Sequence, residues 1–591
     1  MHNTRRPWMA QLAAISLLIF APSLCSAQAT DNSPTLAELA KTPTVFDDPS
    51  VVERYQSTIT PNDLAAHLYF FASDLFEGRE TATRGQELAA NYLASQYRKM
   101  GLTPKGNAAN DNPLAPQAYF QPFKVYGQRL DQASLIVKNG GQTIATSTTS
   151  PTDFNDQAYF AFGTIAEATG GLVFGGYGIS DNALGYDDYA ALEAQGLDYS
   201  DKWLMLLRDE PLSDAETSLL PTDDHKPSQW TTNQNSKFRA LFQKGLPRGI
   251  LVVGDSGPRE AKPMAERAKA AMAAQKGVGN LSLKPGSGGF QFPPFYIISS
   301  EMADKILAPS GRNIADVQSA IDENLKPVVF EAPGITVEST VANELKTYTT
   351  ENVAAFIEGS DPVLKNQVVI LSAHYDHIGM NPNAEGDKIN NGADDDGSGT
   401  VAVLEMAEAF AKARADGFGP RRSVLFLNVT GEEKGLLGSA HFADEDPLVP
   451  LESVVTDLNI DMIGRHDPTH PTDNPNYVYI IGSNLISKEL DTINKRVNKV
   501  TGTDLELNER FNTKDDPNQF YRRSDHWNFG KHGIPFIFFF TGTHEDYHKP
   551  GDEPQKIDYD RMATIAQLIF GTAWQVANQD APPAVSGQGF N

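Results

Sequence analysis

The chain has 591 residues, of which 40% are hydrophobic and 9% aromatic, and these values exclude a disordered protein. Its 75 acidic residues outnumber its 49 basic residues, which gives a net charge of −26. Such a negative protein is not expected to bind nucleic acid or anionic membranes, because both need basic surfaces. The length is too great for one hydrophobic core and predicts roughly two to four domains.

The first 27 residues have the pattern of an export signal. Arg5 and Arg6 form a basic start, an apolar run follows over 12–24, and small residues then allow cleavage after Ala27 or Ala29. The apolar run is short for a helix that spans a bilayer, which argues against a membrane anchor. We therefore expect an exported protein, periplasmic or extracellular, without stable membrane association after the signal is cleaved.

Cys25 is the only cysteine of the chain and lies inside this signal. Because Leu24 precedes it, a lipoprotein signal is the weaker alternative. The mature chain would contain no thiol, which excludes thiolate catalysis. An exported protein without disulfides must be held by its core and by any metals that it binds.

The chain after the signal begins with a polar segment and continues with helices. Residues 28–50 are rich in Pro, Thr and Asp, which is typical of a mobile leader. In residues 84–100 the apolar side chains recur near a 3.6-residue period and Gly101 marks a natural end, so a packed helix is expected. We assign residues 51–134 to the N-terminal part of a main domain.

Residues 135–345 differ from the rest of the chain in their pattern. Short apolar runs alternate with Gly, Pro and Asp turns, which predicts a β-rich inserted domain with a few helices. No cluster of metal-ligating residue types occurs in this stretch. His225 lies in a polar run, which indicates a surface histidine.

From about residue 346 the pattern alternates between strands and helices. Apolar runs such as QVVILSAH and IPFIFFFTG are separated by amphipathic segments such as SGTVAVLEMAEAFAKAR. This predicts an α/β fold with a mostly parallel sheet covered by helices on both faces. In such sheets ligands bind at the carboxyl ends of the strands. We place this main domain at 346–580 and expect a disordered tail at 581–591.

Five potential metal ligands follow predicted strands of the main domain. They are two imidazoles and three carboxylates: His374, Asp395, Glu433, Asp461 and His548. This donor set suits a pair of Zn²⁺ ions if one carboxylate bridges them. The sequence therefore predicts metal-assisted hydrolysis with two zinc ions per chain.

The motifs around these residues also have structural interpretations. AHYDH could be a strand that ends in polar surface residues, and the aspartates of NGADDDGSG could cap a helix. Three adjacent acids exceed what a cap needs, and the middle one, Asp395, suits a bridging position. Glu432 and Glu433 follow a strongly apolar strand, where a solvated acidic pair would be out of place. Asp461 lies in an otherwise buried strand, so pairing or metal ligation is expected.

Residues next to the predicted ligands have candidate supporting roles. Asp376 lies two residues after His374 and points to the same side of an extended chain. Its carboxylate could fix the tautomer of the ligand imidazole. Glu432 is free to act as a general base. His544 competes with His548 for the last ligand position.

Six motifs occur in order along the chain: AHYDH, GADDDGSG, GEEKGLLGS, NIDMIG, YRRSDHWNF and HKPGDE. Together they resemble the co-catalytic dizinc aminopeptidases, a group that includes bacterial leucyl aminopeptidases and is related to the glutamate carboxypeptidases. The resemblance covers about 346–580 and extends to the helical segment that ends at Gly101. Residues 135–345 are similar to a protease-associated domain inserted into the peptidase.

The resemblance implies a metal-binding role for each of the five predicted ligands. His374 and Asp461 would belong to one zinc site, Glu433 and His548 to the other, and Asp395 would bridge the two ions. The implied fold is a mostly parallel α/β/α zinc peptidase domain with a β-rich protease-associated insert.

The resemblance also implies catalytic roles. Glu432 would activate a metal-bridging water, and Tyr521 would stabilise the tetrahedral intermediate. The peptide bond between Asp395 and Asp396 would be cis. We therefore expect an exported zinc aminopeptidase that hydrolyses N-terminal residues from peptides with a free N-terminus.

Related functions stay open at this point. A metallocarboxypeptidase would need basic groups for a terminal carboxylate, which Arg522 and Arg523 could supply. A glutaminyl cyclase uses a single zinc, and the complete five-ligand set argues against it. A non-catalytic, receptor-like binding module should have lost ligands or the base, and none is lost.

Overall fold

The computed structural model describes residues 41–107, 112, 114–154, 156–233, 235–274, 278–285, 291–381, 384 and 386–590. The predicted signal at 1–27 lies outside the described residues, as does most of the predicted leader. In the described ranges, no helix is both long enough and apolar enough to cross a membrane.

The strands are β1 (Thr103–Pro104), β2 (Phe120–Asn139), β3 (Gln142–Thr149), β4 (Ala158–Phe162), β5 (Glu167–Phe174), β6 (Ser180–Asp181), β7 (Tyr186–Asp187), β8 (Trp203–Leu207), β9 (Gly249–Val253), β10 (Leu281–Ser282), β11 (Phe295–Ile298), β12 (Phe330–Ile357), β13 (Val368–His374), β14 (Ser423–Val429), β15 (Val454–Ile460), β16 (Tyr477–Ile481), β17 (Glu506–Asn508) and β18 (Phe536–Phe540). The α-helices are α1 (Pro49–Gln56), α2 (Pro61–Phe71), α3 (Arg84–Lys99), α4 (Asp188–Ala194), α5 (Gln229–Thr232), α6 (Asn235–Lys244), α7 (Met264–Ala274), α8 (Ser300–Leu307), α9 (Ile314–Asn324), α10 (Gly399–Ala415), α11 (Leu437–Ala440), α12 (Lys488–Val500), α13 (His526–Gly530) and α14 (Tyr559–Asn578).

The main domain is built on the strand order β17-β16-β18-β15-β13-β14-β12. Strands β18, β15, β13 and β14 are parallel neighbours, whereas β16 and β12 pair antiparallel at their flanks. Alternate residues of β13 enter two different cores, Val369 and Leu371 on one face and Val368 and Ile370 on the other. Burial on both faces explains the continuous apolar runs. The predicted α/β class with a mostly parallel sheet is confirmed.

Residues 135–345 surround a hydrophobic core of their own. Strands β5, β8, β9 and β11 are parallel neighbours there, with helices between them in the chain. Parallel strands need crossover connections, which α4 to α7 supply. The expectation of a β-rich insert with a few helices therefore understated its helical content. Its identity as a protease-associated domain stays a prediction.

Both predicted boundaries of the insert fall inside long strands. β2 pairs antiparallel with β12 from Phe120 opposite Val353 to Asn139 opposite Ile335, with one register shift between Ala342 and Asn343. The positions 134/135 and 345/346 lie within this ribbon. Since a β-ribbon is held by hydrogen bonds along its length, the insert is connected to the main domain by paired backbone rather than by loose linkers.

The last residues of the predicted mobile leader are packed against the main domain. Thr42 donates a hydrogen bond to the carbonyl of Gly419 at 2.8 Å, and the indole of Trp574 donates to the carbonyl of Pro43 at 3.0 Å. Val45 is fully buried, and α1 begins at Pro49. The leader prediction is therefore wrong for 42–50.

The predicted disordered tail is also docked over its described length. The N–H of Ser586 donates to the carbonyl of Ile486 at 2.8 Å, and the hydroxyl of Ser487 donates to the carbonyl of Ala584 at 2.7 Å. The composition of residues 581–591 gave no sign of these partners, because they are backbone groups supplied by another part of the chain. Residues 584–590 are therefore docked where a disordered tail was predicted, and residue 591 lies outside the described residues.

Candidate metal centre

The predicted ligands lie at the carboxyl ends of neighbouring parallel strands. His374 is the last residue of β13, and Asp395 lies in the turn that precedes α10. Glu433 follows β14, Asp461 directly follows β15, and His548 lies in the loop after β18. Because these strands are adjacent in the sheet, their loops meet at one edge, as ligand sites of this fold class do.

Asp395 lies between two groups of donors. Its Oδ1 is 3.3 Å from Nε2 of His374, and that nitrogen is 3.6 Å from Oδ2 of Asp461. Its Oδ2 is 3.1 Å from Nε2 of His548, and that nitrogen is 3.1 Å from Oε2 of Glu433. The two oxygens of Asp395 thus face different donor groups, which is the arrangement that a carboxylate bridging two ions requires.

His377 belongs to the second group and was not predicted. Its Nδ1 is 2.8 Å from Oε1 of Glu433 and 3.8 Å from Oδ2 of Asp395, and the side chain is fully buried. The sequence signal for His377 was that it is the second histidine of the AHYDH motif. An extended chain would have directed it away from His374, but the chain leaves the strand there and the N–H of His377 donates to the carbonyl of Arg79 at 3.1 Å.

The donor atoms of this cluster are buried and lack hydrogen bonds. They include Nε2 of His374, both ring nitrogens of His377, Oδ2 of Asp395 and Oε1 of Glu433. Buried polar atoms without partners cost free energy, and a divalent cation would satisfy them. Imidazoles with carboxylates are the ligands that Zn²⁺ takes in proteins. The residues present therefore fit a pair of zinc ions around Asp395.

The two outer aspartates of the ADDDG motif fix the backbone instead of facing the donors. Asp394 accepts a hydrogen bond from the N–H of Gly464 at 2.6 Å, and Asp396 accepts one from the N–H of Gly399 at 2.8 Å. The peptide bond between Asp395 and Asp396 is cis, as the resemblance implied. Two of the three acids hold the backbone and the middle one faces the donors, which explains why the motif has more acids than a helix cap needs.

Asp376 supports the centre by a different route from the one predicted. The backbone carbonyl of Asp376, at 3.2 Å from Nδ1 of His374, is closer to that nitrogen than its carboxylate, at 3.8 Å. The carboxylate instead accepts hydrogen bonds from the hydroxyl of Thr81 at 2.7 Å and the N–H of Glu432 at 3.2 Å. The carbonyl therefore fixes the imidazole, and the carboxylate positions Glu432.

The close packing of acids and imidazoles shifts the pKa values of both. Burial lowers the pKa of His548, but Asp395 and Glu433 outweigh burial and raise it to about 10. Burial and Asp395 raise the pKa of Glu433, but His377 and His548 outweigh them and lower it to about 2. Since metals bind the neutral imidazole, zinc has to displace protons from these rings.

A cavity opens over the donors and has walls of two kinds. Asp395, Glu432 and Asp461 form its acidic side, and its apolar side consists of Met462, Phe520, Phe538 and Phe540. An acidic wall can hold an ammonium group, and an apolar wall can hold an apolar side chain. The competitor His544 has its Nε2 3.4 Å from Asp394, so it supports the backbone beside the centre.

Tyr521 does not line this cavity. Its side chain is buried, its hydroxyl accepts a hydrogen bond from the N–H of Phe590 at 3.2 Å, and the two rings pack with centroids 4.4 Å apart. The short turn Phe520–Arg522 brings Phe520 to the cavity and leaves Tyr521 against Phe590. In this structure Tyr521 therefore lies against Phe590 and outside the cavity, and its predicted catalytic role stays a prediction.

Tyr547 lines the cavity instead. Its ring stacks on that of His548 with centroids 3.9 Å apart, and its hydroxyl accepts a hydrogen bond from Nη2 of Arg523 at 3.2 Å. Burial raises the pKa of Tyr547, and the charges of Asp395 and Glu433 raise it further. The phenol therefore keeps its proton and can donate it in a hydrogen bond. The sequence signal for Tyr547 was its position directly before the predicted ligand His548.

Comparison with known proteins gives a consistent result. The model of peptidase family M28 matches residues 352–573. Aminopeptidase YwaD of Bacillus subtilis is 23% identical over 261 residues, which are 43% of this chain and 51% of that protein. A probable zinc metalloprotease of Pyricularia oryzae is 29% identical over 269 residues, 40% of this chain and 51% of that protein. The chain thus spans about half the length of these curated relatives.

Solved structures are also similar to the chain. An aminopeptidase from Aneurinibacillus sp. strain AM-1 superimposes with a TM-score of 0.47 and 17% identity, covering 90% of this chain and 98% of that one. The matched region 352–573 contains the five predicted ligands, Glu432 and Tyr547. Over residues 352–573 this chain is therefore similar to peptidase family M28.

Proposed function

We propose that the protein is a zinc aminopeptidase that removes N-terminal residues from peptides. The observation that carries this proposal is the position of Asp395 between two donor groups, directly below a cavity that contains the additional acid Glu432. Relatives named as aminopeptidases support the same reaction. An export signal at residues 1–27 would place the reaction in the periplasm or the medium.

The zinc ions would be held by His374 and Asp461 on one side and by Glu433 and His548 on the other, with Asp395 between them. When bound, they would polarise the scissile carbonyl and make a water molecule acidic enough to attack at neutral pH. All remaining functions fall to side chains of the protein.

Glu432 would move the proton of the attacking water. Its Oε2 is 3.9 Å from Nε2 of His374, and its backbone is held by the carboxylate of Asp376. Burial raises the pKa of Glu432 well above its usual range, with further contributions from Glu433 and Asp461. A carboxylate with a raised pKa accepts a proton from water more readily and can pass it to the leaving amine.

Tyr547 and Arg523 are placed to stabilise the negative oxygen of the tetrahedral intermediate. The phenol donates a hydrogen bond, and the guanidinium beside it adds positive charge in a cavity with buried walls. The apolar wall would hold the side chain of the first residue, which predicts a preference for apolar N-terminal residues.

The carboxypeptidase alternative has less support in the cavity. Arg522 donates to the carbonyl of Phe590 at 2.8 Å and lies over the ring of Trp527, so it does not line the cavity. Arg523 is the one basic residue among the lining residues described, and its guanidinium donates to the hydroxyl of Tyr547. The cavity therefore offers a substrate carboxylate one basic side chain and not two.

Hydrolysis of matched peptides tests this function. We expect cleavage of a short peptide with an N-terminal leucine, no cleavage of its N-acetylated form, and undiminished cleavage of its C-terminal amide. A zinc chelator should abolish all cleavage. Product release followed by mass spectrometry distinguishes the reactions. Cleavage that tolerates acetylation but requires the free carboxylate would replace the aminopeptidase by a carboxypeptidase.

Substitution of Glu432 separates the base from the metal ligands. We expect Glu432→Gln to retain both zinc ions and to lower kcat by about 10² to 10⁴, because only proton transfer is lost. The matched variant Asp395→Asn should lose zinc as well as activity, since each donor group loses a ligand. Elemental analysis of dialysed protein and peptide hydrolysis give the two readouts. Normal kcat in Glu432→Gln would refute the assignment of the base.

The two tyrosines provide a second matched pair. We expect Tyr547→Phe to lower kcat by about 10² to 10³ with little effect on zinc content, because one donor to the negative oxygen is removed. Tyr521→Phe should lower kcat far less than Tyr547→Phe, because its hydroxyl accepts from the backbone of Phe590 and does not line the cavity. The reverse pattern in steady-state kinetics would restore the role predicted for Tyr521.

A further inference from the structure

We infer that His377 is an additional ligand of the ion held by Glu433 and His548. This inference rests on the proposed two-zinc site and extends its donor set beyond the five residues of the resemblance. The ion would then have Nδ1 of His377, Oδ2 of Asp395, the carboxylate of Glu433 and Nε2 of His548 as protein donors.

His377, Asp395 and Glu433 present donor atoms to the same space. Nδ1 of His377 and Oε1 of Glu433 are 2.8 Å apart, and one donor atom from each of the three side chains lies within 4.8 Å of the other two. Three imidazole and carboxylate donors this close together can bind one zinc ion. Oε2 of the same carboxylate faces His548 on its other side.

The ring of His377 is held in this position by its surroundings. Gly392 has φ of +55°, and a Cβ there would lie 2.6 Å from the ring of His377 and 2.3 Å from the carbonyl of Asp395. The buried guanidinium of Arg79 donates to the carbonyl of Tyr375, which precedes His377 in the chain, and to the carbonyl of Gly392, which follows it. The chain thus approaches the ring closely and fixes it, as a preorganised ligand requires.

A supporting role is the alternative for His377. In that case Nδ1–H would donate to the carboxylate of Glu433 and orient it, without contact with the ion. The observed geometry favours ligation, and the two roles differ in the number of imidazoles bound to zinc.

X-ray absorption spectroscopy at the zinc edge counts those imidazoles directly. We expect the wild-type protein loaded with two zinc ions to show three imidazoles shared between the ions, contributed by His374, His377 and His548. The His377→Gln variant should show two imidazoles. Its affinity for the zinc ion held by Glu433 and His548 should fall by at least about 100-fold. Competition with a chromophoric chelator measures that affinity.

His544→Gln is the matched control, because it removes a buried histidine that contacts Asp394 outside the donor set. We expect its imidazole count to equal that of the wild type. Two zinc ions with only two imidazoles in the wild type would overturn the inference for His377, even if the variant does not fold. A wild-type protein that binds no zinc would overturn the proposed function as well.

A separate observation concerns the segment 584–590, which we propose positions the turn that lines the substrate cavity. The N–H groups of Ser586 and Gly587 donate to the carbonyl of Ile486, and that of Gly589 donates to the carbonyl of Leu485. These bonds fix the segment along the loop after β16. They bring Phe590 to the turn at residues 520–523.

Phe590 holds the middle of this turn from outside the cavity. Its N–H donates to the hydroxyl of Tyr521 at 3.2 Å, and its carbonyl accepts from Nη2 of Arg522 at 2.8 Å. The residues on either side, Phe520 and Arg523, line the cavity. Phe590 is therefore a positioning residue, which acts on the substrate through Phe520 and Arg523.

A change in selectivity distinguishes positioning from mere stabilisation. We expect Phe590→Ala to lower kcat/KM for a peptide with N-terminal leucine by about tenfold more than for one with N-terminal alanine, because Phe520 forms part of the apolar wall. A loss of folded protein alone would lower both values equally. Zinc content should not change. The readout is the ratio of the two kcat/KM values.

Val585→Ala is the control within the same segment, because Val585 is 64% exposed and lines a different surface cavity beside Leu451 and Pro535. We expect the wild-type ratio for this variant. An unchanged ratio in Phe590→Ala would overturn the positioning role. Wild-type protein that cleaves neither peptide would instead refute the proposed aminopeptidase.

Discussion

The concentration of buried carboxylates at one edge of the sheet is the constraint on which the rest of the centre depends. Asp376, Asp395, Glu432, Glu433 and Asp461 meet where neighbouring parallel strands end. Each charge that is removed from water without a partner costs roughly several kcal/mol. Imidazoles and bound cations supply the pairing. Zinc binding and the stability of this edge are therefore linked, since the cations bind the folded arrangement.

The backbone around Asp395 is built to direct this one carboxylate at both donor groups. The flanking Asp394 and Asp396 accept hydrogen bonds from backbone N–H groups, and the carboxylate of Asp552 accepts from the N–H of Asp395 at 3.1 Å. Arg79 donates to the carbonyl of Gly392 just before the motif. Acids outside the ligand set thus work as structural acceptors. Their number is explained by the need to hold Asp395 between the two donor groups, and not by additional chemistry.

The sequence was most informative where a residue's position follows from one strand. Ligands at strand ends, such as His374 and Asp461, could be placed because parallel strands bring their carboxyl ends together. His377, Tyr547 and Tyr521 were missed or misplaced because their directions depend on irregular loops. The packing of residues 584–590 was not predictable from composition, since its partners are backbone carbonyls around Ile486. Long-range backbone pairing leaves no local pattern.

The insert is joined to the catalytic edge by packing as well as by the ribbon of β2 and β12. Val278 and Leu281 of the insert pack in one cluster with Phe123 and Leu437. Leu437 begins α11, directly after the loop that carries Glu432. This packing connects the insert to the loop that carries Glu432. The ribbon is a second connection, since its backbone pairing runs from the insert into the main domain with one register shift between Ala342 and Asn343.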